Sequence, residues 1–349
     1  MQSYQKSKEC SEKINCVIKV EWYYDRMKLI KRFAREIEVE EVAVCIPLEY
    51  KSACLIYELS RYTNVIAAKL DEQSTKEDAV SWLKDRGIEV VRKRDAVNAE
   101  YFLDCAAVLS RVAVRQGRKE LKVVELTKTG EDYLKTLKAK LKAVSLDSST
   151  LKGIGENTYG TAYGLLDALM RLNIFLPEKR IKVIGFGRVG KGCARLLKSL
   201  GCKVSIWDRS VQRLIEAIYE GFEVSDELNA DIIVTCTGSA KCIGVDEIAK
   251  IPEGCILINL GAEVEIEPAG KVVKDYGGVK EYSLKGKRYY LVSEGYAANL
   301  ALGNGTPIEV MDRTFSAAIL ALNYLKKEDF TGIRPLPAHI ESSIILDAK

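Results

Sequence analysis

Apolar positions recur along this chain in two rhythms that alternate. From Arg26 to Ile37 they come at helical spacing, at Met27, Ile30, Phe33 and Ile37. The stretch VEEVAVCIPLEY then predicts a short strand, Val42–Ile46, ended by Pro47. KSACLIYELSRY predicts a helix whose apolar face is Ala53, Leu55, Ile56 and Leu59. A strand NVIAAKL, a helix STKEDAVSWLKDRG and a strand IEVVRK follow. Ser74 to Glu77 fits a capping-box start for that helix, and Gly87 fits the residue that ends it. Such alternation predicts a parallel sheet. AEYFLDCAAVLSRVAV and KVVELTKTGEDYLKTLKAKL continue the same half less legibly.

Asn157 to Leu172 reads as one long helix despite its two glycines, Gly160 and Gly164. After Pro177–Arg180 a second alternation begins. Its predicted strands are Lys182–Gly185, Lys203–Trp207, Ile232–Thr235, Cys255–Asn259 and Arg288–Val292, and a last helix runs from Ile308 to Tyr324. At 349 residues the chain has room for about two domains. The expected fold class is therefore α/β.

Composition narrows the partners. Hydrophobic residues make up 47% and charged residues 29%, with a net charge of only +4, which suits a packed protein and gives no basic stripe for nucleic acid. No apolar run approaches the roughly 20 residues needed to span a bilayer, so no membrane partner is expected. The ten cysteines form no CxxC pair, and the single histidine, His339, cannot complete a zinc set, so no metal is expected. Scattered thiols and a polar lead-in lead to the expectation of a reducing, cytoplasmic setting.

The clearest chemistry lies in GFGRVGKGCARLL. Gly185, Gly187 and Gly190 spell G-x-G-x-x-G between the apolar run Ile181–Ile184 and a helix predicted over Lys191–Leu200. The first glycine permits a tight turn, the second lets backbone approach a pyrophosphate, and the third lets helix pack on strand. The helix N-terminus then faces the anion. About 20 residues on, as that fingerprint requires, the next strand ends in Asp208, placed to accept from the adenosine ribose. Its charge favours NAD over NADP, although Arg209 and Arg213 nearby keep NADP open.

Around this loop the sequence resembles the S-adenosylhomocysteine hydrolase family. The likeness runs through ENTYG, GFGRVGKGCARLLKSLG, VTCTG, INLGAEVEIE and EGYAANLALGNGTPIEVM, with weaker likeness in CIPLEYKSACLIYEL and STKEDA. It implies two Rossmann-like domains, parallel sheets flanked by helices, around a cleft that takes a nucleoside-like small molecule. The implied division is a flexible lead-in over 1–19, a substrate-type domain over 20–155 completed by 306–349, and an inserted NAD-binding domain over 156–305. It also implies that Gly185, Gly187, Arg188, Val189, Gly190, Asp208, Thr237, Gly238, Asn259, Gly261 and Asn299 hold NAD, joined by Thr127, Lys128, Thr129 and Asn157. A homodimer or higher homo-oligomer is implied too, although the family's lysine–tyrosine C-terminal tail has no match in SIILDAK. The implied chemistry is oxidation of the ribose 3′-hydroxyl by NAD+, loss of the 5′ thioether, addition of water, and return of the hydride.

Proton-transfer positions of that cycle do not carry over. The family's histidines fall at Pro47, Ala262 and Thr306, and carboxylates at Cys105 and Leu126, beside retained Asp104 and Glu125. Ile154 and Glu156 stand for a lysine–aspartate pair, with Lys152 two residues before the lysine position. Candidate acid–base residues are thus Glu156, Lys152, Glu49 and Lys51, against the alternative that each is a surface charge or part of a domain-closing ion pair. Three functions remain open on the sequence: a divergent NAD-dependent enzyme rather than a standard hydrolase, a non-catalytic NAD-binding or regulatory protein, and a 2-hydroxyacid-type dehydrogenase using His339.

Overall fold

A computed structural model describes residues 20–347 of the chain. The lead-in expected over 1–19 lies outside the described residues. Two compact units emerge, one from the chain up to Lys152 together with the chain from Ile308, the other from Gly153–Pro307.

In the first unit six strands precede the crossover into the second: β1 Glu41–Cys45, β2 Asn64–Ala68, β3 Val90–Val91, β4 Tyr101–Asp104, β5 Glu120–Glu125 and β6 Lys140–Ser145. They lie parallel in the order β6-β5-β4-β1-β2-β3, and a late strand, Gly332–Pro335, adds beside β6. This is the doubly wound order, with its switch point between β1 and β4. Helices cover both faces, so the central strands read as near-continuous apolar runs. Pro335, which cannot donate to a ladder, ends a strand at the sheet's edge, where it is tolerated.

The helix Ile308–Lys327 returns the chain to this unit and buries Phe315, Ile319 and Leu322 in its core. From it, Asp312 accepts the N–H groups of Leu29 and Ile30 at 2.9 Å each. That satisfies orphan donors at the start of the helix Lys28–Phe33, which is separated from a helix over 20–26 by a break at Met27. The rhythm over Arg26–Ile37 therefore holds one short α-helix, Lys28–Phe33, continued by a tighter 3-10 turn, Ala34–Glu36.

In the second unit the strands are β7 Arg180–Ile184, β8 Lys203–Trp207, β9 Glu223–Val224, β10 Ile232–Thr235, β11 Cys255–Asn259, β12 Lys271–Asp275, β13 Val279–Leu284 and β14 Lys287–Val292. Their order, β12-β13-β14-β11-β10-β7-β8-β9, repeats the doubly wound plan with an antiparallel extension through β13 and β12. Both units are thus Rossmann-like α/β layers.

Several local expectations need correcting. The helix expected from Ser74 starts at Glu77, because the Asp71 carboxylate takes the Ser74 N–H at 2.6 Å and folds 71–75 into a turn. A capping box forms instead at Glu49 and Ser52. Gly87, at φ +78°, does close its helix. Asn157–Leu172 is not one α-helix: Leu151–Gly160 winds wider, as a π-helix, before the α-helix Thr161–Arg171 begins. The β12–β13 hairpin and the strand Gly332–Pro335 were not foreseen. Among the described residues no helix is long and apolar enough to cross a membrane, and no three His, Cys, Asp or Glu side chains gather as a metal site.

Candidate functional site

The glycine loop joins β7 to the helix Arg188–Ser199. Gly185 sits at φ +96°, and a Cβ there would stand 2.6 Å from the Cys236 carbonyl, so only glycine passes. A Cβ on Gly190 would collide with the Gly185 carbonyl, which is why helix and strand can approach so closely. Gly187 precedes the helix in extended backbone, and no side chain caps it. The first N–H groups are left to an incoming anion, with the positive end of the helix dipole behind them. Arg188 is exposed and Val189 half-buried in this first turn.

Asp208, at the end of β8, is buried and already engaged. The Phe186 N–H donates to its Oδ2 at 2.7 Å, the Ser210 N–H to its Oδ1 at 2.8 Å, and the Arg213 guanidinium to Oδ2 at 3.2 Å. Burial works against the carboxylate, yet these donors outweigh it and hold the group below its ordinary value. A carboxylate has about four lone-pair sites, so Asp208 can brace the loop and still accept from a ligand hydroxyl. Together Gly185, Asp208, Arg209, Arg213, Thr237 and Ile243 line a cleft of about 1240 Å³.

On the other side of β7, the loop after β10 carries Thr237 and Gly238, whose N–H groups donate to Glu265 at 2.9 and 2.5 Å. Glu265 is fully buried, and sequence reading missed it. Its one signal was an acid flanked by Val264 and Ile266, in a run that also carries Glu263 and Glu267. Gly261 has no room for a side chain, because Glu265 fills the space. Asn259 differs from expectation in how it is used. Its Nδ2 donates to the Glu263 and Gly295 carbonyls at 2.7 Å each, while Oδ1 accepts from Gly261 N–H at 2.8 Å and Thr235 at 3.2 Å. The amide is spent on shaping loops.

Asn299 is the reverse case. It lies in the helix Ala298–Ala301, 7% exposed, and its Oδ1 is buried with no hydrogen-bond partner. Leaving such an oxygen unpaired costs about 1–3 kcal/mol, which a ligand N–H would recover. Asn157 and Glu156 stand half-buried on the π-helix. That helix reaches the glycine loop through Gly192, where a Cβ would collide with the Thr158 carbonyl. The extra glycine of GKG is thus the seat of the π-helix backbone.

The remaining candidates belong to the first unit. Glu49 caps the helix Tyr50–Ser60 and pairs with Lys51 Nζ at 2.7 Å, both side chains being buried. Thr127 caps the helix Lys128–Lys135, accepting from Gly130 N–H at 3.1 Å and Ala106 N–H at 2.9 Å. Lys128 is exposed and pairs with Asp132 at 2.7 Å, while Thr129 lies beside Thr127. Lys152 is buried. His339 is exposed on the helix Ala338–Asp347, so this structure offers the dehydrogenase reading no buried imidazole.

At the carboxyl ends of β4 and β5, Asp104 and Glu125 stand side by side, both buried. Glu125 accepts from the N–H groups of Ala106 and Ala107 at 3.1 and 3.0 Å, two non-glycine residues at φ +55° and +53°. Burial pushes both carboxyls up, and the Asp104 charge raises Glu125 further. Cys105, between them in sequence, is buried, and burial pushes its thiol well above the ordinary value, which makes it a poor nucleophile.

Fold and loop together define an α/β protein with a dinucleotide-binding Rossmann unit. Residues 157–305 match the family described as S-adenosyl-L-homocysteine hydrolase, NAD binding domain. The chain is 31% identical to an S-inosyl-L-homocysteine hydrolase of Methanopyrus kandleri, covering 93% of this chain and 88% of that protein. It is 28% identical to an adenosylhomocysteinase of Thermotoga maritima, covering 88% and 87%, and 31% identical to one of Saccharolobus solfataricus, covering 86% and 81%. The chain belongs to the S-adenosyl-L-homocysteine hydrolase family, and NAD is its cofactor. The open helix N-terminus, the crowded glycine turn and the unpartnered Asn299 oxygen fit that group.

Proposed function

We propose that this protein is an NAD-dependent enzyme acting on a nucleoside-like substrate, with the family's redox half kept and its proton-transfer half rebuilt. One contrast supports the reading: the cofactor unit retains a sterically complete glycine cradle, whereas Pro47, Ala262 and Thr306 stand where the resemblance implies the family's histidines. The names of the relatives point to purine-nucleoside thioethers of homocysteine as the substrate class. NAD supplies a reversible hydride acceptor. Gly185, Gly187 and Gly190 let the helix N-terminus meet the pyrophosphate, Asp208 accepts from the ribose, and Asn299 Oδ1 accepts an N–H. Thr237 and Gly238 stay aimed because Glu265 holds their backbone.

With the one imidazole, His339, exposed on the helix Ala338–Asp347, proton transfer falls to Glu156 and Lys152. Glu49 and Lys51 are better accounted for by their cap and ion pair. The supporting experiment is extraction of small molecules bound to the purified protein, identified by mass, followed by absorbance at 340 nm as nucleosides are added. A nucleoside-type ligand and NADH formation are expected. Release of adenosine from S-adenosylhomocysteine should stay far below the ordinary enzymatic range, and turnover near ~1 s⁻¹ would overturn the proposal. The loss of histidines also supports a second, non-catalytic reading, which requires bound NAD with no reduction by any nucleoside. Light scattering tests the homodimer.

A further inference from the structure

Lys182 interrupts the apolar run of β7, the central strand of the cofactor unit, and no part of the site described above uses it. It is completely buried. Ile181 and Val183 enter one core of the unit with Phe186 and Leu197, whereas Ile184 enters the other with Ile233 and Ile243. By the two-residue period of a strand, Lys182 lies on the face of Ile184. That is the face of the cleft, for Ile184 and Ile243 both line it.

There the Lys182 ammonium donates to the Ser225 carbonyl. Ser225 opens the segment 225–231 that leads from β9 to the foot of β10, and its far end is tied where Asp231 N–H donates to Arg180 O at 2.8 Å. Between the two ties, Asp226, Glu227, Leu228 and Asn229 form one wall of the cleft. The charged groups facing Lys182 are Glu223, Asp226 and Glu227, and its register neighbours on β8 and β10 are the uncharged Ser205 and Ile233. An ammonium in an apolar sheet is costly to bury, so a compensating role is required. Methionine would fill the same space without that cost.

We propose that Lys182 is a positioning residue for the cofactor: its ammonium fixes the 225–229 wall and offsets the carboxylates of Asp226 and Glu227 beside the pyrophosphate-bearing ligand. The proposal rests on NAD occupying this cleft. Burial pushes the Lys182 amine down to about 8, with Asp226, Glu223 and Glu227 pulling the other way. The ammonium is therefore present at pH 7 and lost above pH 8, and its offset of the wall carboxylates goes with it.

The test is calorimetric binding of NAD+ to the full chain, stripped of cofactor, from pH 6.5 to 9.5. The wild-type Kd should be level below about pH 7.5 and rise about tenfold through a midpoint near pH 8, the scale expected for one charge-assisted contact. Lys182→Met should bind about tenfold more weakly at pH 7 with a flat profile, and Lys182→Arg should restore affinity and stay flat. A level wild-type profile across the whole range overturns the proposal, and so does wild-type affinity in Lys182→Met. The wild-type profile decides the matter alone if the variants do not fold. A wild-type protein that binds no NAD+ at pH 7 overturns the cofactor assignment as well.

Discussion

Two buried polar residues in this chain have opposite fates. Asn259 satisfies its amide within the protein, whereas Asn299 leaves an oxygen unpaired. Asn299→Ala should therefore change the stability of the cofactor-free protein by less than about 1 kcal/mol and weaken NAD+ about tenfold, as read by denaturation and calorimetry. Equal losses in both would mean that Asn299 only packs. The buried acids make a second test. Glu125 is raised to about 8, so the folded first unit holds a proton that the unfolded chain releases above its own value near ~4.3. Stability from this group is complete at low pH and is lost as pH rises toward 8. Urea titrations should show that decline, and Glu125→Gln should reduce it to the part that the raised Asp104 contributes. A wild-type slope in the variant would assign the decline elsewhere. Neither fate was visible in the sequence, because Asn259, Asn299 and Glu125 sit in segments of the same apolar-polar texture.

Among the elements, the glycine loop was the most legible. Its glycine spacing, strand and following acid are all local, and the structure adds only what each missing Cβ would strike. Four strands of the second unit were also legible from apolar runs bounded by turns. The π-helix was not, since Asn157–Leu172 has an ordinary helical pattern and the wider winding depends on what packs against it. Gly192 supplies that contact through the Thr158 carbonyl. Gly192→Ala should cost about 1–3 kcal/mol by overpacking and loosen the π-helix, raising hydrogen exchange across 151–160. Unchanged exchange there would show that the helix is held by other contacts. The β12–β13 hairpin escaped the sequence reading because β12 is exposed along its whole length and carries no alternating apolar face.

At the scale of the whole molecule, the two β/α runs announced two sheets of one plan. NAD+ at about a hundredfold its Kd should stabilise the state that binds it by about 2.7 kcal/mol. Slowed hydrogen exchange should concentrate at residues 185–191, 208–213 and 237–238, and protection spread evenly over the chain would contradict a site built on the second unit. The sequence by itself determined the α/β class and the cofactor loop, because these depend on residue identity and on spacings of a few positions. Only the tertiary structure decided the strand order, the seat of the π-helix on Gly192, and which carboxylates are spent. Glu49, Asp208, Glu265 and Glu125 all ended on backbone N–H groups, three of the four on segments distant in sequence. What a buried acid does is set by the donors that surround it, and for Asp208, Glu265 and Glu125 packing brings some of those donors from distant parts of the chain.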